Sequence, residues 1–565
     1  MKHNPKPWEV LDELRGKVFS GEWPTLPELF YITKYHYPNR RCFSILSPEE
    51  MSFTYSEAFD RIRIFSNYLA SLGLKKGDKV ALTGKNSPQW ALTYFSILFA
   101  GGIVVPLDYM LSPLELHGLI KASDTVMLIV DEEKYDLIDP ENTLGLVKIF
   151  SLSKNKPGYV LDIAFDKEIP HEMPAENDIA AILFTSGTTG VAKGVMLTHK
   201  NFASDCFSAQ GNMNLFPTDV FYALLPLHHS YAMLAVMIEA LSVGAEVLFS
   251  QKIVTAQMMK DLKQGHVTMF LGIPMLFNKV IKALMKGIRE KGIIIYGVVR
   301  FLMSLSGLIK KIFKVNPGKK LFHGILSKIS LDNNRICICG GGPLPTKTFK
   351  LFNQLGIDFV QGYGLTETSP ILTLNPIFHY KEKSVGKCIP HAELRIDSPD
   401  KNGNGEIVAR GPMIMKGYYK KEKETTEAFT ADGWFRTGDA GHIDHENYVY
   451  LTGRKKNLIV TEGGKNVYPE EIEDKFQLYD EIEQILVKSY LVDKKSKSEH
   501  IEALIFPARE WAQNKALPII KSAMDDIVAA VNKTLLPYQR IERTRVLDKP
   551  METGGTLKIK RHKVE

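Results

Sequence analysis

The residues most able to do chemistry stand in one segment rich in glycine and hydroxyl side chains, ILFTSGTTGVAKGVMLTH at 182–199. Glycine tolerates positive φ, so successive N–H groups can turn toward one anion, while hydroxyls add donors and a lysine adds charge. The segment therefore predicts a phosphate-binding loop between two strands. It is not a Walker loop, because no G-x-x-x-x-G-K-[ST] spacing fits it. A plain Gly/Thr turn between strands is the alternative interpretation.

The same segment resembles the phosphate loop of the adenylate-forming superfamily, which contains acyl-CoA synthetases, adenylation domains of peptide synthetases and firefly luciferase. The proline usual before the lysine is Ala192 here. Further family segments follow in order and together span about residue 50 to 561. The resemblance implies an enzyme that uses ATP and Mg²⁺ to convert a carboxylic acid to its acyl-adenylate and then transfers the acyl group to coenzyme A.

The resemblance also assigns a nucleotide site. Tyr363 of QGYGLTET would stack on adenine, Thr366 would bind the α-phosphate, and Glu367, with Thr185, would hold Mg²⁺. An aromatic face suits a base, and a carboxylate suits a hard cation. Asp439 of GWFRTGD would accept hydrogen bonds from both ribose hydroxyls. The full set of expected nucleotide-binding residues is Thr185, Ser186, Gly187, Thr188, Thr189, Gly190, Lys193, Gly341, Gly342, Pro343, Gln361, Gly362, Tyr363, Gly364, Thr366, Asp439 and Arg454.

The C-terminal segments resemble the family's hinge and mobile domain. Arg454 would bind the ribose and phosphates, and Lys456 falls at the hinge. Gly463 and Gly464 would let the pantetheine arm of coenzyme A pass close to the backbone. Lys558 of TLKIKRHKV would contact the carboxylate and the α-phosphate in the first half-reaction. The spacing before this lysine departs from the common family form, which leaves Lys560 as a weaker candidate. The predicted catalytic residues are Lys558, Lys193, Thr366, Glu367 and Arg454.

The acyl pocket is expected to begin at LPLHHSYAML, 225–234, where His229 occupies the position of the family's aromatic ring or histidine, with Gly362 and Gly364 also lining it. No metal-ligand spacing surrounds His228 and His229, so no metal is predicted there. The absence of an aspartate near this segment disfavours amino acids as substrates. The insertion at 279–335 resembles that of long-chain fatty acyl-CoA synthetases, so a medium- or long-chain fatty acid is expected. Three alternative functions stay open: an acyl-AMP ligase that loads a carrier protein, an aryl-acid CoA ligase and, remotely, a non-catalytic, membrane-associated nucleotide-binding protein.

The elements around these segments predict an α/β fold. Helix-like and strand-like patterns alternate through the first 275 residues, which is typical of parallel sheets covered by helices. Beyond residue 390 the pattern becomes strand-rich. We therefore expect a large N-terminal domain, 1–453, with helix-flanked sheets and a β-rich subdomain, a hinge at 454–458, and a small mobile α+β domain at 459–565.

Composition and charge narrow the classes of function. The chain has 565 residues, five scattered cysteines and a net charge of +7 with basic and acidic residues interleaved. These features indicate a reducing compartment and give no sign of nucleic-acid binding. No secretory signal is apparent at the N-terminus, so a cytoplasmic protein is expected. The basic, apolar stretch at 279–335 predicts either an interfacial segment on the inner face of the membrane or an ordinary helical subdomain. The sequence leaves open whether two copies of the chain form a homodimer.

Overall fold

The computed structural model describes residues 7–138, 146–185, 192–252, 254–461, 465–491, 499–553 and 559–564. Its α-helices are α1 (Glu9–Asp12), α2 (Leu26–His36), α3 (Tyr55–Ser71), α4 (Pro88–Phe99), α5 (Pro113–Ala122), α6 (Glu132–Tyr135), α7 (His199–Gln210), α8 (Ser230–Ala232), α9 (Glu239–Val243), α10 (Thr255–Gln264), α11 (Pro274–Arg289), α12 (Ile293–Phe313), α13 (Gly318–Leu321), α14 (His323–Lys328), α15 (Thr346–Gln354), α16 (Glu422–Glu427), α17 (Pro469–Glu473), α18 (Arg509–Ala512) and α19 (Leu517–Asn532). A π-helical turn, Met233–Ile238, joins α8 to α9. Short 3-10 turns are Thr366–Thr368, Lys455–Asn457, Pro537–Gln539 and Arg561–Lys563.

The strands are β1 (Arg41–Ile45), β2 (Met51–Thr54), β3 (Lys79–Thr83), β4 (Ile103–Leu107), β5 (Thr125–Val130), β6 (Lys148–Ser151), β7 (Ile179–Thr185), β8 (Lys193–Thr198), β9 (Val220–Ala223), β10 (Glu246–Phe249), β11 (Met269–Gly272), β12 (Ile336–Cys339), β13 (Asp358–Gly364), β14 (Ile371–Leu374), β15 (Gly386–Cys388), β16 (Glu393–Asp397), β17 (Gly405–Arg410), β18 (Gly417–Tyr418), β19 (Phe435–Ile443), β20 (Tyr448–Arg454), β21 (Ile459–Val460), β22 (Asn466–Val467), β23 (Ile482–Leu491), β24 (Glu499–Pro507) and β25 (Arg543–Val546).

Two sheets form the framework of the large N-terminal domain. One has the strand order β18-β8-β7-β4-β3-β5-β6, and the other runs β16-β17-β19-β20-β15-β14-β13-β12-β11-β9-β10-β1-β2. The core strands of both are parallel and buried, because helices such as α3 and α4 cover their faces. From β13 onward the pairing turns antiparallel, which corresponds to the β-rich stretch expected after residue 390. The predicted α/β class and two-domain fold are confirmed.

Strand ends and helix starts set the walls of the site. The phosphate-loop segment leaves β7 at Thr185 and returns into β8 at Lys193, and the two strands pair antiparallel with these residues opposite each other. The helix α7 that follows begins at a capping box in which Thr198 and Asn201 exchange hydrogen bonds with each other's backbone. The pairing of β7 with β8 therefore places Thr185 and Lys193 side by side at the same end of the sheet.

The insertion at 279–335 folds as helices packed on the second sheet. Helices α11 to α14 share a core with α15 that contains Phe277, Met303 and Phe352. Of the helices in the described part of the chain, α12 is the one long and apolar enough to cross a bilayer, yet only 17% of its apolar window is buried. Lys310 is buried on this helix together with Met303 and Ser306, and its ammonium donates to Asp358 at 2.7 Å and to Asn353 at 2.8 Å.

The small C-terminal domain has a core of its own. Ile459, Phe476, Val487 and Met524 pack together between β21–β25 and helices α17 and α19. We propose 454–458 as the boundary, since Arg454 still ends β20 of the large sheet whereas Ile459 already belongs to the small core.

Candidate active site

A cavity of about 2780 Å³ lies between the large and the small domain. Many of the residues singled out in the sequence line it: Thr185, Lys193, His229, Gly341, Gly342, Pro343, Gln361, Gly362, Tyr363, Gly364, Thr366, Glu367, Asp439, Arg454 and Lys456. They come from β7 and β8, from the start of α8, from the turn after β12, from β13 and the turn that follows it, and from β19, β20 and the 3-10 turn after β20. Residues that are far apart in the chain therefore share one cavity.

Asp439 forms the centre of one corner of this cavity. One carboxylate oxygen accepts a hydrogen bond from the Tyr363 hydroxyl at 2.9 Å, and the other forms an ion pair with Nε of Arg454 at 3.2 Å. Its backbone N–H donates to the Thr437 hydroxyl at 3.1 Å. Burial, together with the charge of Asp439, raises the pKa of Tyr363, so the phenol stays protonated as a donor. This corner presents an aromatic ring beside an oriented carboxylate.

Glu367 forms a second corner, with Tyr418. The Tyr418 hydroxyl donates to the Glu367 carboxylate at 3.0 Å, and the Lys193 ammonium lies 4.9 Å from the centre of the Tyr418 ring. Thr366 accepts a bond from the Ser230 hydroxyl at 3.3 Å, which connects this corner to the acyl side. Sequence reasoning missed Tyr418. Its contacts depend on β18 pairing with β8, which no local motif indicates.

Glycine is required at two predicted positions for different reasons. Gly341 has φ of +80°, a conformation that side chains rarely adopt, in the turn after β12. At Gly364 a Cβ would lie 1.6 Å from the Pro370 carbonyl oxygen, so the close approach of β13 and β14 excludes any side chain. The first glycine shapes the cavity wall, and the second holds Thr366 and Glu367 in place.

Two histidines and an aspartate form a cluster at the start of α8. The ligand atoms of Asp108, His228 and His229 lie within 4.8 Å of one another, and the His228 ring approaches Asp108 at 3.6 Å. Burial and the neighbouring His229 lower the pKa of His228, which keeps it neutral. Spacing along the chain could not indicate this donor set, because Asp108 follows β4, far from the two histidines in the sequence.

Lys456 and the C-terminal segment also reach the cavity. Burial, with the nearby charge of Arg454, lowers the pKa of Lys456. Lys560 pairs with Glu552 at 2.5 Å, and Arg561 donates to Glu473 at 2.6 Å, so this segment is tied to the small domain. The predicted residues Ser186, Gly187, Thr188, Thr189, Gly190, Gly463, Gly464 and Lys558 lie outside the described residues.

Known proteins share this sequence and fold. Residues 32–419 match the family model described as AMP-binding enzyme. The chain is 27% identical over 444 residues to feruloyl-CoA synthase of Amycolatopsis sp, covering 77% of this chain and 80% of that protein. It is 29% identical over 486 residues to a long-chain-fatty-acid–CoA ligase of Bacillus subtilis (strain 168), covering 78% of each.

A solved structure agrees at the level of the fold. O-succinylbenzoate coenzyme A synthetase (MenE) from Bacillus subtilis, in complex with ATP and a magnesium ion, has a TM-score of 0.73 and 21% identity, covering 95% of this chain and 98% of that one. The family model spans more than half of the sequence, which confirms the adenylate-forming resemblance. The chain therefore belongs to the AMP-binding enzyme family, whose members similar to it include acyl-CoA and aryl-CoA ligases.

Proposed function

We propose that this chain is an ATP-dependent acyl-CoA synthetase. It joins a carboxylate to ATP to give acyl-AMP and pyrophosphate, and then transfers the acyl group to coenzyme A with release of AMP. The supporting observation is the shared cavity, in which the Asp439 corner and the Glu367 corner lie beside Lys193 and an apolar wall. A base and ribose suit the first corner, and phosphates with their cation suit the second.

The nucleotide roles follow from the contacts in these corners. Tyr363 stacks on adenine while its hydroxyl holds Asp439 in position for the ribose hydroxyls. Arg454, already beside Asp439, also reaches toward the phosphates. The carboxylate of Glu367 with the hydroxyl of Thr185 is a hard oxygen donor set that suits Mg²⁺. Bound there, Mg²⁺ would neutralise charge on the triphosphate.

The first half-reaction needs no nucleophile from the protein. The substrate carboxylate attacks the α-phosphorus, the bond to the bridging oxygen of pyrophosphate breaks, and AMP becomes the leaving group of a mixed anhydride. Catalysis consists of holding two anions in line and neutralising their charge. Lys193, Thr366 and Arg454 supply donors in the described part of the cavity, and Lys558 with the loop residues 186–190 completes the set.

The second half-reaction uses the same cavity. We assign Lys456 as the pivot about which the small domain turns, withdrawing Lys558 and presenting Gly463 and Gly464 to the pantetheine arm of coenzyme A. Hinges of this kind are a few residues between elements that absorb large changes of φ and ψ. The short 3-10 turn Lys455–Asn457 between β20 and β21 fits that description.

We propose a medium- or long-chain fatty acid as the substrate. The acyl side of the cavity is lined by apolar side chains, including Met213, Ala235, Ile273, Ile371 and Leu374. The similarity to a long-chain-fatty-acid–CoA ligase supports this class, whereas the similarity to feruloyl-CoA synthase favours an aryl acid as the second candidate. Both candidates share the nucleotide chemistry.

A pyrophosphate-release assay tests the proposal. Fatty acids of graded chain length and aryl acids would be compared, each with and without coenzyme A and with a carrier protein as the alternative acceptor. We expect release to depend on ATP, and multiple turnovers to need coenzyme A. Release without any acid dependence, or none with any acid, would contradict the proposed function, and turnover with the carrier protein alone would identify an acyl-AMP ligase instead.

We also propose that helix α12 lies on the surface of an anionic membrane. Six apolar side chains recur at intervals of four and three residues, the spacing that places them on one helix face. Each is exposed by between 43% and 79%. These residues are Ile294, Val298, Phe301, Leu305, Leu308 and Ile312. A stripe of this size rarely faces water on a protein that acts alone.

The charge around α12 supports an anionic lipid surface as the partner of its exposed apolar face. Residues 274–328 contain twelve Lys and Arg and one Glu, a net charge of +11, so the rest of the chain carries −4. A side-chain contact with Lys328 lowers the pKa of Lys291, which indicates crowded cations that an anionic headgroup would relieve. A second copy would bring the same positive charge against this face. The helix does not span, because Lys310 binds it to Asp358 along its other side.

Flotation with vesicles tests this contact without any substrate. The chain is expected to float with vesicles of phosphatidylcholine and phosphatidylglycerol in equal amounts at low salt, and not with phosphatidylcholine alone. Phe301→Ser with Leu308→Ser should lower binding about tenfold or more, because burial of apolar area drives interfacial binding. Leu114→Ser with Leu517→Ser removes two apolar side chains elsewhere that are exposed by 83% and 67%, against 68% for Phe301 and 54% for Leu308, and should leave binding unchanged. Equal flotation of both double variants, or a change of oligomeric mass instead, would contradict the proposal.

A further inference from the structure

Glu239 is a buried acid that the proposed chemistry does not use. It begins α9, its side chain has no exposed surface, and it lines the acyl side of the active-site cavity. Among the described residues, neither of its carboxyl oxygens has a hydrogen-bond partner. A buried polar group without a partner costs stability, so its presence in a cavity wall calls for a ligand.

The polar groups near Glu239 form no hydrogen bond with its carboxyl group. One carboxyl oxygen of the nearby Asp205 accepts a bond from the Ile371 backbone N–H at 2.9 Å, while its other oxygen has no partner among the described residues. The Tyr231 hydroxyl donates to the Ile338 carbonyl at 3.1 Å. The Ser242 hydroxyl donates to the backbone carbonyl of Glu239, not to its carboxyl. Burial raises the pKa of Glu239 well above its usual range. Glu239 therefore offers a neutral acid, with one O–H donor and one carbonyl acceptor.

The backbone places this acid deep in the acyl side. The π-helical turn Met233–Ile238 directly precedes Glu239, and such turns often occur at functional sites. At the other end of the same helical run, Ser230 contacts Thr366 of the phosphate corner at 3.3 Å. At a rise of 1.5 Å per residue, Glu239 lies roughly 13 Å further along the axis. An acyl chain that starts at Thr366 and runs along this helix would meet Glu239 toward its distal end.

We propose that Glu239 binds a hydroxyl group near the distal end of the acyl chain, so that the enzyme prefers a hydroxylated acid to the unsubstituted acid of the same length. This inference rests on the proposed acyl-CoA synthetase function and refines its substrate class. A hydroxyl donates and accepts one hydrogen bond each, which matches the neutral acid. A methyl end would leave the buried acid unpaired, and sites built for a hydroxyl reject analogues that lack it.

The test is a ratio of specificities. We would measure kcat/KM for ω-hydroxy and unsubstituted fatty acids of equal length, and for p-hydroxycinnamic and cinnamic acid as an aryl pair. The hydroxylated member should be favoured about tenfold or more. Glu239→Gln keeps a donor and an acceptor and should retain the preference, whereas Glu239→Leu should reverse it. Met237→Leu, a conservative change at a buried position outside the cavity wall, is the matched control.

A ratio does not depend on the fraction of protein that is folded, so a loss of folded enzyme cannot imitate the result. Thermal unfolding gives a second readout: Glu239→Leu should raise Tm, because it removes an unpaired buried acid. No preference in the native enzyme, or the same preference in Glu239→Leu, would overturn this inference alone. Absence of activity with every acid would overturn the proposed function and this inference with it.

Discussion

At the scale of single residues, the candidate site divides into parts that the sequence could indicate and parts that it could not. Tyr363, Glu367 and Asp439 stand in short motifs whose residue types suit a base, a cation and a ribose, so their place in one cavity was predictable. Tyr418 and Asp108 stand in no such motif. They reach the site only because β18 pairs with β8 and β4 ends beside the histidines, which depends on the tertiary fold.

Asp439→Asn should weaken the use of ATP. The substitution removes the charge that strengthens the bonds from Tyr363 and Arg454, and it would replace one acceptor toward the ribose by a donor. We expect kcat/KM for ATP to fall on the order of tenfold to hundredfold, since hydrogen bonds to charged groups contribute about 1.5–3 kcal/mol each. Asp432→Asn, at an exposed pair with Arg395, serves as the control. Equal kinetics in both variants would refute the ribose role.

Tyr418→Phe should raise the Mg²⁺ concentration needed for half-maximal rate. The lost hydroxyl orients Glu367, so the carboxylate would sample more conformations and bind the cation less well. An effect of about fivefold corresponds to one hydrogen bond near 1 kcal/mol. Tyr419→Phe is a matched control, because its hydroxyl donates to Asp124 at the surface. A Mg²⁺ titration that does not separate the two variants would exclude this role for Tyr418.

At the scale of elements, the long apolar helix could be predicted but its attachment could not. The basic, apolar stretch at 279–335 predicted an interfacial segment or a helical subdomain, and α12 is found within it at Ile293–Phe313. Lys310 and Lys311 stand together in the last turn of α12, yet only Lys310 is buried, against Asp358 and Asn353 of the neighbouring elements. Periodicity indicates which face is apolar, but it does not indicate which lysine meets a buried carboxylate.

Lys310→Met should destabilise the large domain by about 2–3 kcal/mol, because it leaves Asp358 without its main cationic partner in a mostly buried setting. Urea unfolding followed by tryptophan fluorescence would measure the shift in midpoint. The adjacent Lys311→Met is the control, since Lys311 is exposed and lies 3.7 Å from Glu382. If both variants unfold at the same urea concentration, the buried pair contributes nothing to stability.

At the scale of the whole molecule, the order of segments predicted a large α/β domain followed by a small one. The sequence did not indicate that the antiparallel strands after residue 358 continue the parallel sheet rather than forming a separate layer. That continuity depends on β13, which pairs parallel with β12 and antiparallel with β14. As a result the Glu367 turn and the Asp439 strand are held by one framework.

Lys558→Ala should separate the two half-reactions. We expect adenylate formation to fall on the order of hundredfold to thousandfold, as for the loss of one charge-stabilising donor, while thioester formation from supplied acyl-AMP continues. Lys560→Ala is the control, because Lys560 is paired with Glu552. Pyrophosphate release and a thioester assay would be run on each variant. Equal loss in both steps would contradict the assignment of Lys558.

The polar contacts between α11 and the small domain bear on turnover. Asn278 donates to Gln477 at 3.1 Å, Gln477 donates to the Pro343 carbonyl at 3.2 Å, and Lys282 pairs with Asp480 at 2.9 Å. Water and dissolved ions compete readily for bonds of this kind, and the exposed pair is screened by salt. The proposed rotation of the small domain should therefore respond to ionic strength, and a salt titration should change which half-reaction limits the overall rate.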